Sequence, residues 1–153
     1  MRILLVNDYA TPAGGAELLM FALRDGLRQR GHDARLFSTS ASGSDAERLS
    51  DYDCLGTTSS FRTLLQSYNP WAAQRLKEVL REFRPHIVHV KIFLTQLSPS
   101  ILSLLKTVPS LYYVAWYRPV CPLGNKILPN GSACHDRYGK ACYRNGCLPF
   151  HDW

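Results

Sequence analysis

No run of five or more basic residues occurs in this chain, although 18 Lys and Arg face 12 Asp and Glu and the formal charge is +6. A scattered excess does not build the continuous stripe that nucleic acid requires, so no nucleic-acid partner is expected, while contact with an anionic membrane surface stays compatible with it. No stretch approaches the ~18 consecutive apolar residues of a spanning helix. The apolar run at residues 3–6 is cut by Asn7-Asp8 far short of a signal-peptide core. A cytoplasmic location is therefore expected, with any peripheral contact at the inner membrane face. The adjacent pair Gly14-Gly15 has neither the GxGxxG spacing nor the Gly-Lys-Ser/Thr ending of a Walker loop, which disfavours a stand-alone nucleotide-binding protein. The five cysteines include no CxxC pair, so the tight knuckle of most zinc sites is missing. There is no internal repeat and no low-complexity tract.

What remains is 153 residues of ordinary globular composition, 46% apolar and 20% charged, enough for one sizeable core. Residues 3–6 are continuously apolar, the pattern of a strand covered on both faces of a parallel sheet. From Ala16 onward Leu19, Leu23 and Leu27, with Ala22 beside them, predict a helix with one buried stripe that ends at Gly31. Arg24, Arg28 and Arg30 on and near it read as a solvated face. Residues 34–37 predict a second strand, 38–50 a surface loop, 52–55 a small strand and 61–68 a short helix. Asn69-Pro70 is a cap-plus-proline helix start, with Leu76, Val79, Leu80 and Phe83 as the buried face and Pro85 as the stop. A strand at 86–90, a helix opened by Ser98-Pro99 and carrying Ile101, Leu102, Leu104 and Leu105, and a buried strand at 111–115 complete the series. Strands alternating with helices give an α/β class, a Rossmann-like doubly wound parallel sheet.

Ligands of open α/β sheets bind beyond the carboxyl ends of the strands. Three loops are expected there. The first holds Gly14, Gly15 and Glu17, where glycines allow close approach and the free N–H groups of a helix start favour an anion or a sugar hydroxyl; the alternative is a plain turn that needs small residues. The second presents Lys91, which either pairs with an anionic group or stays solvated. His89, just before it, reads as a satisfied buried histidine rather than a base. The third presents Trp116, Tyr117 and Arg118. The Trp116 indole offers a stacking face for a sugar ring, against the alternative of a core or lid aromatic. No catalytic residue is assigned.

Beyond residue 118 the helical and strand periods stop. Residues 119–150 hold Cys121, Cys134, Cys142 and Cys147, separated by twelve, seven and four residues, with Cys54 apart. The stretch has no apolar core of its own, so something else must hold it. Four thiolates can close a structural zinc site, with His135 as a substitute ligand; reduced thiols or two disulfides are the alternatives.

Several segments, taken in order, resemble the N-terminal domain of family 4 glycosyltransferases. They are residues 1–6 followed by Gly14-Gly15-Ala16-Glu17, then Leu27-Arg28-Gln29-Arg30-Gly31-His32-Asp33-Ala34, Tyr68-Asn69-Pro70, Arg84-Pro85-His86-Ile87-Val88-His89-Val90, Leu97-Ser98-Pro99-Ser100 and Val120-Cys121-Pro122. The resemblance implies the acceptor-side half of a two-domain GT-B enzyme. Such an enzyme passes a sugar from a nucleotide-sugar donor to a glycan or lipid-linked acceptor, as in polysaccharide biosynthesis, without a catalytic cofactor. It implies a Rossmann-like domain over residues 1–118 with a cysteine-rich insertion at 119–150. It also implies a donor-binding C-terminal domain that this truncated sequence does not contain, so that the isolated chain is expected to be inactive. A non-catalytic remnant, or a metal-stapled interaction module, is the other reading. Two positions depart from the pattern of relatives: Lys91 replaces the second histidine of a His-Val-His strand end, and Trp116 stands where a Thr-Leu-His-Asp-Tyr loop carries its histidine.

Overall fold

Four apolar side chains in a row leave no polar face to turn to water, and Ile3, Leu4, Leu5 and Val6 accordingly form the centre of a sheet. The computed structural model describes residues 1–12, 14–41, 49–59 and 61–148. In it β1 (Arg2–Val6) lies between β2 (Asp33–Thr39) and β4 (Ile87–Val90), with β3 (Tyr52–Cys54) and β5 (Ser110–Tyr112) outside them. The order is β3-β2-β1-β4-β5 and every pairing is parallel, with Ile3 opposite Ala34 and Ile87, and Val6 opposite Phe37 and Val90. This is the Rossmann-like α/β sheet that the alternation of apolar runs predicts. The chain divides into two units, Met1–Tyr113 and Val114–Trp153, so that Trp116, Tyr117 and Arg118 belong with the cysteine-bearing stretch rather than with the sheet.

Helix α1 (Gly15–Gln29) covers one face of the sheet. Its end follows from Gly31, whose φ of 79° suits glycine, and from the paired bonds His32 N–H to Leu27 O and Gly31 N–H to Arg28 O that close a Schellman turn. The leucine stripe is shifted from the sequence expectation. Met20 and Phe21 are the buried residues, packed with Ile3, Leu5, Ala34 and Leu36; Leu23 and Leu27 are half-buried, Ala22 is exposed and Leu19 is 52% exposed. Nor are the helix arginines simply solvated: Arg24 donates to Leu49 O, and Arg28 donates to Ala34 O and pairs with Asp51 at 2.7 Å.

On the opposite face, α3 (Pro70–Phe83) and a 3-10 helix (Pro99–Thr107) pack Leu76, Val79, Ile101 and Leu105 against Leu4, Val6, Phe37, Val88 and Val90. The Asn69-Pro70 start is as expected: Asn69 Oδ1 accepts the Ala72 N–H at 3.0 Å. The segment after Ser98-Pro99 is not an α-helix. Its Ser103 and Thr107 hydroxyls donate to carbonyls three residues back, Ser100 O and Leu104 O, which favours the tighter turn. A short α2 (Arg62–Ser67) precedes α3.

The expected buried strand at 111–115 is also corrected. Strand β5 ends at Tyr112 and its three residues are all exposed, because β4 flanks it on one side and no other described strand pairs with its outer edge. Residues 42–48 of the expected surface loop lie outside the described residues, while Ser38 and Thr39 are buried at the end of β2.

The second unit is built from turns. Residues 117–124 fold back on themselves through Tyr117 N–H to Gly124 O, Val120 N–H to Tyr117 O and Gly124 N–H to Cys121 O. A small hairpin follows, bridged at Ile127 and Ala133 and closed by Cys134 N–H to Lys126 O at 2.8 Å; then comes a single helical turn, α4 (Lys140–Arg144).

Candidate functional site

The strand order reverses between β1 and β4, and at such a point the loops that follow the two strands leave toward opposite faces and open a crevice. Asn7 and Asp8 leave β1 there, and Lys91 leaves β4. Both exits are tied to the sheet: Asn7 N–H donates to Phe37 O and Lys91 N–H to Val6 O.

Asp8 is fully buried and acts as the hub of the crevice floor. Its Oδ2 accepts the Thr95 N–H at 2.8 Å and the Thr95 hydroxyl at 2.6 Å; its Oδ1 accepts the N–H groups of Gln96 and Leu97 at 3.0 and 2.8 Å. Its carbonyl takes the Thr39 hydroxyl at 2.7 Å. Burial pushes the Asp8 carboxyl above its ordinary range, while the hydrogen bonds from Thr95, Leu97 and Gln96 pull the other way. Gln96 extends the web: its amide donates to Thr57 O and to the Tyr9 hydroxyl, and its Oε1 accepts the Thr57 N–H. Asn69 donates to Leu55 O and Gln96 O. Loops after β1, β2, β3 and β4 are thus joined by polar side chains whose lost hydration is replaced bond by bond. Sequence reasoning assigned none of this. The one available signal was an acidic residue two positions after a buried strand, which needs a partner when it is itself buried.

Above this floor the expected residues of the first two loops come together. The α1 start has Gly14 in extended backbone as its cap, and a Cβ at Gly14 would meet Glu17 Oε2 at 2.6 Å, so glycine there lets the carboxylate fold back over the helix start. Gly15, by contrast, faces open space. Lys91 is 3% exposed and so is not the solvated lysine considered from sequence: its ammonium donates to Ala16 O at 2.8 Å and lies 5.5 Å from the centre of the Tyr113 ring. Burial lowers its proton affinity and the Glu17 carboxylate raises it, with the net direction downward.

Lys91, His89 and Tyr113 line a cavity of about 350 Å³ together with Leu19, Met20 and Leu23. This is where Leu19 went when it left the sheet-facing stripe. His89 is not satisfied as expected, since its Nε2 is buried without a hydrogen-bond partner. Burial, with the nearby Lys91 charge, holds the imidazole below its ordinary pKa of 6.5 and keeps it neutral. The cavity therefore has a largely apolar wall with the Lys91 and His89 side chains at its margin, a set that can seat an apolar group.

The third expected loop lies in the second unit. Trp116 packs there, its ring carbon Cε3 at 3.6 Å from where a Gly124 Cβ would stand, and its Nε1 is buried without a partner. Tyr117 is exposed, and Arg118 donates to Pro122 O. Cys121, Cys134, Cys142 and Cys147 are all free thiols. Burial raises the Cys121 thiol, but the N–H groups of Lys126, Leu123, Gly124 and Asn125 face its sulfur and bring it below the ordinary value. Cys54 is separate, buried in the first unit and pushed up to about 12 by burial and by the charges of Asp53 and Asp8, an inert thiol.

No helix among the described residues is long and apolar enough to cross a membrane. Neither the curated proteins nor the solved structures contain a match to this chain. Residues 13–114, which hold α1, the β4 side of the crevice and the cavity, match the family described as Glycosyltransferase Family 4. With two thirds of its length inside that match, and a parallel sheet whose switch point carries the crevice, the chain belongs to glycosyltransferase family 4.

Proposed function

We propose that this chain supplies the acceptor side of a GT-B glycosyltransferase, in which a sugar passes from a nucleotide-sugar donor to a glycan or lipid-linked acceptor. The observation that carries the reading is the meeting of Lys91, Ala16 and Glu17 at the start of α1, beside an apolar cavity, within the matched family segment. A second domain holds the donor and closes over the crevice. The apolar wall of Leu19, Met20, Leu23 and Tyr113 favours the lipid-linked class of acceptor, with its phosphate oxygens toward Lys91. No residue in the cavity acts as a nucleophile in this reading. The ammonium positions the acceptor.

Saturation-transfer NMR tests this with a short-chain polyprenyl diphosphate sugar and a free oligosaccharide as probes. Binding of the first is expected for the wild-type chain, with at least a tenfold weakening in Lys91→Ala while the far-UV circular dichroism stays unchanged. Failure of both probes to bind, or equal binding by Lys91→Ala, overturns the proposal.

A further inference from the structure

The second unit has almost no buried surface to hold it. Among the described residues from Val114 onward, Cys121 alone is buried, at 7% exposure; every other side chain is half-buried or exposed. A stretch of this size without a core needs a staple, because burial cannot offset the chain entropy lost on ordering it. Yet it is ordered, with a folded-back turn, a bridged hairpin and a helical turn.

The four cysteines come from each of those pieces. Cys121 lies in the turn, Cys134 on the return of the hairpin, Cys142 in α4 and Cys147 just after it, where its N–H donates to Cys142 O. All four nevertheless line the same small cavity, whose volume of about 10 Å³ has room for a single water-sized particle. Around Cys121 the N–H groups of residues 123–126 face the sulfur. Lys126 reaches in from the hairpin, its ammonium 3.9 Å from Cys134 Sγ.

We propose that Cys121, Cys134, Cys142 and Cys147 bind one zinc ion as four thiolates, and that this ion is the folding core of the second unit. On binding, four S–H bonds break, the protons pass to solvent and four Zn–S bonds form, which leaves the centre with a net charge of −2. The sequence supplies a counter-charge. From Val114 to Leu148 the basic residues are Arg118, Lys126, Arg137, Lys140 and Arg144, against Asp136 as the one acidic residue. Among the described residues, no group of three or more His, Cys, Asp or Glu side chains is already gathered to hold an ion. The cysteines close on the metal as it arrives, the behaviour of small domains in which metal binding and folding are one step. Cys54 takes no part, being in the other unit.

The full chain, refolded with zinc under reducing conditions and desalted, is expected to retain one zinc per chain. Cobalt(II) in place of zinc is expected to give the visible bands and sulfur charge-transfer absorption of a tetrahedral four-thiolate site, lost in Cys142→Ser and retained in Cys54→Ser. If Cys142→Ser does not fold, a cobalt titration of the wild-type chain carries the test, with a sharp end point at one equivalent expected. Removing zinc with a chelator is expected to speed proteolysis within residues 114–148 at least tenfold. Substoichiometric zinc in folded protein, cobalt spectra without thiolate charge transfer, iron in place of zinc, or proteolysis indifferent to the chelator overturns the proposal.

Discussion

Asp8 is the residue on which the crevice most depends. Removing its carboxylate leaves the N–H groups of Thr95, Gln96 and Leu97 without acceptors in a place that water does not reach. Asp8→Ala is therefore expected to destabilise the chain by roughly 2–4 kcal/mol, read from urea unfolding midpoints, and Asp8→Asn by less, since one oxygen remains to accept. His89 gives a pH signature of its own. Its imidazole is held below the ordinary 6.5 in the folded chain, so the unfolded chain takes up a proton first as the solution is acidified. The stability linked to His89 is thus fully present above pH 6.5 and is lost as pH falls from there through the lower folded value. In His89→Leu that component disappears: the variant is expected to show a smaller fall in unfolding midpoint between neutral and mildly acidic buffer than the wild type.

Among the elements, α3 depends most clearly on one side chain. Asn69 caps its first turn through Ala72 N–H and, with its amide, holds Leu55 O and Gln96 O. Asn69→Ala loses the cap and both loop ties, for an expected cost of roughly 2 kcal/mol in thermal or urea unfolding; Asn69→Asp keeps the cap and loses the ties, and falls between. The cap was legible in the sequence because its geometry is local, with donor and acceptor three residues apart next to a proline. Strand β1 was legible because an unbroken apolar run has few other uses, and β4 because its β-branched residues follow closely on the Pro85 helix stop. Asp8 was not, since its donors lie 87 to 89 residues along the chain. Lys91 was misjudged for the same reason: its acceptor is a backbone carbonyl, Ala16 O, 75 residues away, and no side-chain type announces it. The shift of the α1 stripe from Leu19 to Met20 and Phe21 depends on where the helix crosses the sheet, which periodicity does not encode.

For the molecule as a whole, the outer edge of β5 decides behaviour in solution. Ser110, Leu111 and Tyr112 are exposed, Leu111 by 51%, and a strand edge with apolar neighbours is a template for pairing. Sedimentation velocity is expected to show concentration-dependent self-association that Leu111→Lys reduces; association unchanged in that variant would place the contact elsewhere. The web centred on Asp8 has a further consequence for how a ligand is met. Loops that end strands usually exchange their amide hydrogens quickly, but the amides of Thr57, Thr95, Gln96 and Leu97 are all committed to buried acceptors. They are expected to exchange as slowly as the strands and to be released together in one cooperative opening. An arriving ligand then finds a floor that has already lost its conformational freedom, so that its affinity reflects contacts made rather than order imposed.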